Sequence, residues 1–72
     1  MTLAKWMQQN GLSPGAVAEA AGVHLVTVYN WRRGRRLPKA ERVHAIARRI
    51  GAPPHLLRPD RPDLFPPPAE TV

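Results

Sequence analysis

One helix start and two helix stops fall between Ser13 and Gly34, and that spacing constrains the fold more than any other feature of the chain. Ser13-Pro14 opens a helix. A serine oxygen there accepts a bond from an otherwise unpaired first-turn amide, and a proline at the first helical position forfeits no hydrogen bond. The helix is expected over residues 14–21, with Val17, Ala18 and Ala21 on its inner face and Gly22 as a left-handed stop. Only Gly22, Val23 and His24 separate it from the next periodic segment, Leu25 to Arg33, which buries Val28 and Trp31 and halts at Gly34. Val23 anchors the entrance to this second helix. Two short helices joined by a tight, glycine-containing turn form a helix-turn-helix unit.

The flanks extend the same pattern. Thr2 is placed to cap a first helix carrying Leu3, Trp6 and Met7 on one face, and Asn10-Gly11 ends it. After a loop at Arg35-Arg36-Leu37-Pro38, a fourth helix is expected from Lys39 to Ile50, turning Val43, Ile46, Ala47 and Ile50 inward before Gly51. Pro53-Pro54 can start a short fifth helix reaching Leu57. The fold class is therefore all-α, a compact bundle of about five short helices over residues 1–57. Prolines 59, 62, 66, 67 and 68 exclude further helix. Residues 58–72 read as a Pro-rich extended tail with a disordered end, in which Leu64 and Phe65 are the apolar pair able to fold back. No internal repeat is evident.

Seventy-two residues suffice for one domain that buries roughly 60% of its unfolded surface. That leaves little room for a deep substrate cavity, so no enzyme is expected. Without cysteine there is no disulfide, thiolate zinc site or thiol nucleophile, and the composition suits a reducing cytosol. His24, His44 and His55 are too scattered for an evident metal site, and no cofactor is expected. Ser13 has neither His nor Asp on its own element to form a nucleophilic triad. Trp6 and Trp31 are in helical phase with the core and read as packing residues, not as stacking platforms. No apolar run approaches membrane-span length, and Met1 to Gln9 reads as helix, not as a targeting segment.

The charge is unevenly placed. Eight of the eleven Lys and Arg residues lie between Arg32 and Arg49 against the single acid Glu41. That block carries all of the net +6 excess and suggests a polyanionic partner.

From Leu12-Ser13 through Val17-Ala18, Ala21-Gly22-Val23 and Thr27-Val28-Tyr29-Asn30-Trp31-Arg32-Arg33-Gly34-Arg35, followed by Leu37-Pro38, the chain resembles the lambda-repressor-like, or Cro/CI-type, helix-turn-helix family. Leu56-Leu57-Arg58-Pro59-Asp60 with Asp63-Leu64-Phe65-Pro66 further resembles the ending of YdaS-like and Cro-like phage or prophage regulators. The likeness covers residues 2–66. It implies a sequence-specific transcriptional repressor acting on double-stranded DNA in the cytoplasm of a bacterial host, on the nucleoid. It also implies a homodimer on a pseudo-palindromic operator.

In that geometry the segment 25–33 is the recognition helix, and its N-terminal end meets base edges in the major groove. The outward residues there are His24, Leu25, Val26, Tyr29 and Asn30. Asn30 suits a bidentate bond to adenine, and Leu25 and Val26 suit thymine methyls. Such regulators usually place Ser or Thr and then Gln at this point, so His24-Leu25-Val26 marks a departure toward apolar reading. His24 could instead cap the helix. Ser13, Thr27, Arg32, Arg33, Arg35, Arg36 and Lys39 are the expected phosphate contacts, with Arg42, Arg48 and Arg49 as solvent-facing charges. Two alternatives stay open: an antitoxin that binds its own promoter and a toxin, and a protein-interaction module, favoured by Leu25-Val26, that has lost DNA binding.

Overall fold

A computed structural model describes residues 1–68; the disordered end expected for the tail falls mainly on residues 69–72, outside the described residues. Four α-helices follow one another: α1 (Leu3–Gln9), α2 (Pro14–Ala21), α3 (Leu25–Arg33) and α4 (Val43–Ile50). The described residues contain no strand. The expected fourth helix begins later than its periodicity suggested. Ala40–Arg42 forms a 3-10 turn leading into α4, because Arg42 sits at φ −104°, ψ −9° and interrupts the α ladder. The expected fifth helix is likewise a single 3-10 turn, Pro54–Leu56.

Local chemistry sets the helix ends. Thr2 Oγ1 accepts the Lys5 amide at 3.2 Å, and Ser13 Oγ accepts the Ala16 amide at 3.1 Å. At the other end Gly22 adopts φ +70°, a left-handed backbone that would strain any side chain. It lets the Val23 amide reach back to the Ala18 carbonyl at 3.0 Å. The same five-residue closure joins Leu12 to Met7, Arg35 to Asn30 and Ala52 to Ala47.

One core results. Val17, Val28, Val43 and Leu57 are its most enclosed side chains, surrounded by Leu3, Met7, Ala18, Ala21, Trp31, Ala47, Ile50 and Leu56. Trp6, Val23 and Ile46 pack on it half-buried. Among the described residues no polar or charged side chain is buried. The fold therefore rests on apolar burial, about 25 cal/mol per Å² removed from water.

The segment after Leu57 turns where an extended tail was expected. Arg58-Pro59-Asp60 and Arg61-Pro62-Asp63 are a tandem repeat of one tripeptide that the sequence reading passed over, and both copies fold alike. Each arginine grips its aspartate through two nitrogens, at 3.0 and 3.1 Å in the first copy and 3.1 and 3.0 Å in the second. Hydrogen bonding from Arg61 holds the Asp63 carboxyl below the usual carboxylate range. Arg58 also donates to the Pro38 carbonyl at 2.9 Å, tying the turn to the loop after α3. Phe65 is then buried against the helices, with its ring 5.2 Å from that of His44. Proline denies this stretch helical hydrogen bonds but not turns.

Phe65 thus belongs to the core, whereas Leu64 remains 47% exposed. Phe65→Ala is expected to lower the unfolding free energy by about 3 kcal/mol, and Leu64→Ala by less than about 1 kcal/mol. Urea denaturation followed by tryptophan fluorescence measures both.

Candidate nucleic-acid interface

Helix α3 is held by two side chains, Val28 and Trp31, which are 0% and 6% exposed. At 100° per residue, the edge opposite them must carry Val26, Tyr29, Asn30 and Arg33, at i, i+3, i+4 and i+7. That outer stripe spans about 11 Å of helix. Val26 is 56% exposed and Tyr29 40%, with Leu25 beside them at 39%. Neither Leu25 nor Val26 is drawn into the core. Arg33 is exposed, and Asn30 is half-buried.

His24 precedes the helix with extended backbone, and its Nδ1 accepts the Val26 amide at 3.2 Å. Of the two roles open to it in the sequence, the structure supplies the cap. An accepting Nδ1 places the proton of the neutral ring on Nε2, which stays a donor.

The remaining predicted residues divide between the two flanks of α3. Arg32 faces α1, where it borders a shallow cleft with Lys5 and Gln8. Arg32 and Arg33 together border a second small cleft with Tyr29. On the other flank Thr27, half-buried, borders a larger groove with Arg36 and Lys39. Arg35 is exposed where α3 closes, its backbone N–H bound to the Asn30 carbonyl at 3.0 Å. Ser13 is exposed at the start of α2, and the Gly15 amide beside it has no partner among the described residues.

Two groups of neighbours escaped the sequence reading. Lys5 and Gln8 stand next to Arg32, and Arg42 and Arg49 join Arg36 and Lys39. The spacing of Arg42 and Arg49, seven residues or two turns, was visible in the sequence. That Arg42 in the 3-10 turn and Arg49 in α4 border one groove, and what that groove adjoins, depended on tertiary packing.

The electrostatics reinforce this placement. The ion pairs of the described residues are Arg58–Asp60 and Arg61–Asp63, both in the C-terminal turns. No cation from Arg32 to Arg49 takes part in one. The acids Asp60 and Asp63 are thus neutralised locally, and the basic block keeps its field for an external anion. No group of three or more His, Cys, Asp or Glu converges among the described residues, and no helix there is long and apolar enough to cross a membrane.

A protein family described as a helix-turn-helix domain matches residues 1–59, which include all four α-helices and both 3-10 turns. No curated protein and no solved structure matches the chain.

The His24 cap supports the exposed end of α3. His24→Ala is expected to lower stability by about 1 kcal/mol, with His24→Asn recovering most of the loss, as measured by urea unfolding.

Proposed function

We propose that this chain, which belongs to the helix-turn-helix domain family, is a sequence-specific double-stranded DNA-binding regulator that acts as a Cro-like repressor, with α3 in the major groove. The observation that carries this reading is the outer stripe of α3, exposed at Val26, Tyr29 and Arg33 and flanked on both sides by cations that take part in no ion pair among the described residues. A helix with its side chains is about 10–12 Å across, and the major groove is about 12 Å wide. An α3 seated there would meet base edges with its stripe and the two phosphate rails with its flanks.

In this reading Asn30 bonds an adenine through N6 and N7, and Leu25 and Val26 contact thymine methyls. Tyr29 lies alongside the bases, and His24 offers the Nε2 donor while its other nitrogen caps the helix. Ser13, Thr27, Arg32, Arg33, Arg35, Arg36 and Lys39 take phosphates. Two copies on a pseudo-palindromic operator would satisfy the symmetry that such sites have. The resemblance to Cro-like and YdaS-like regulators supports a phage or prophage origin and a place on the bacterial nucleoid. No cofactor is required.

A second reading, a protein-interaction module, draws on the exposed apolar trio Leu25, Val26 and Tyr29. Selection from random duplex DNA separates the two. A DNA reader returns an enriched motif with adenine or thymine steps, and an interaction module returns none.

Two further outcomes are expected from anisotropy titrations on the selected site. Asn30→Ala should cost about 1–3 kcal/mol and relax one base position, whereas Arg33→Ala should weaken all sequences alike. With roughly four of the cations Arg32, Arg33, Arg35, Arg36 and Lys39 each neutralising a phosphate, this set alone should contribute a slope of about −3.6 to the fall of log K against log salt per protomer.

A further inference from the structure

We infer that Arg42, which ends the 3-10 turn before α4, and Arg49, in the last turn of α4, are part of the DNA interface, forming a second phosphate-binding track continuous with Arg36 and Lys39. This inference rests on the DNA-binding function proposed above.

The track is a groove of about 540 Å³ between the turn of the helix-turn-helix, the loop after α3 and the face of α4. Four cations border it: Arg36 and Lys39 from the segment after α3, Arg42 from the 3-10 turn and Arg49 from α4. One acid, Glu41, shares the border, yet none of the four cations is ion-paired among the described residues. Arg42 and Arg49 lie seven residues apart, on either side of the break at which α4 begins, and both reach the same groove.

Arg49 does not point away from the helix-turn-helix. Its guanidinium folds over Gly22, so that a methyl group added to that glycine would lie 3.3 Å from Nη1. Arg49 is thereby brought to the turn that delivers α3. Thr27, on the flank of α3 itself, lines the same groove. Arg48, between Arg42 and Arg49 in sequence, is exposed but does not border it. An unpaired row of cations beside the recognition helix, continuous with the predicted phosphate contacts, matches a sugar–phosphate strand better than any neutral ligand.

The test is a set of salt titrations on the selected duplex with wild type, R42A, R49A, the double variant and R48A, each first checked for an unchanged thermal melt. R42A and R49A are expected to reduce the magnitude of the slope by about 0.9 each, and the double variant by about 1.8. R48A should leave the slope unchanged, and the base preferences of all variants should match wild type. If R42A and R49A behave like R48A while Asn30→Ala still relaxes its base position, the track is overturned and the DNA-binding reading stands; a groove serving an acidic protein segment would give that result. If wild type binds no duplex DNA, both fall together.

Discussion

The packing of α3, through Val28 and Trp31, onto α2 and α1 is the contact on which the remainder depends. A nine-residue helix secured by two residues three apart has a narrow inner edge. Most of its surface is left free by geometry. A longer apolar stripe would hold α3 more firmly and would hide the residues that stand out from it. Trp31 also borders both of the larger clefts, the basic groove on one side and the cleft beneath the C-terminal turns on the other. One indole thus sets the depth of α3 relative to two neighbouring surfaces. Replacing it would disturb both, in keeping with the large loss usual for deleting a buried tryptophan.

The four helix closures show how the same backbone device serves two ends. After α1, α2 and α4 the residue that reaches back is Leu12, Val23 or Ala52, each apolar and at least partly buried. Such closures commonly add a hydrophobic contact of this sort. After α3 the residue is Arg35, which is exposed. Its backbone hydrogen bond is made and its side chain is released. The chain forgoes a small packing gain where a cation can be displayed, next to Arg36 and at the foot of the outer stripe.

Much of this was legible in the sequence because helix starts and stops are local chemistry. Ser13-Pro14, Gly22 and Gly34 act through hydrogen bonds and backbone angles within a few residues, so α2 and α3 have the expected bounds. Periodicity alone continued α4 back to Lys39, since a 3-10 turn keeps much the same apolar phase and only the Arg42 backbone reveals the break. The proline-rich segment was harder. Proline density excludes helix without choosing among extended chain and turns. The choice was made by the Arg58–Asp60 and Arg61–Asp63 pairs and by a place for Phe65 beside His44, which are non-local facts. The exposed residues of α3 followed from helical phase. Arg42 and Arg49 did not, because the neighbour of a helix face is a tertiary matter.

The C-terminal turns and the basic block are linked by one further bond. Arg58 is the least exposed of the paired arginines, and its donation to the Pro38 carbonyl spans 20 residues. Pro38 directly follows the loop that carries Arg35 and Arg36 and directly precedes Lys39. A carbonyl held by a guanidinium, on a residue whose φ is already fixed by its ring, gives that loop a firm downstream anchor. Gly34 and its closure onto α3 provide the upstream one. Three like charges in five residues, Arg35, Arg36 and Lys39, repel one another, and an unbraced loop would relax by splaying. Bracing at both ends keeps the repulsion stored in one place, where an anion can relieve it. The acids of the turns contribute by pairing within their own tripeptides, so they neither quench the loop nor compete for it. The same segment that completes the hydrophobic core through Phe65 thus also keeps the basic loop in position, and among the described residues it forms no ion pair with that loop.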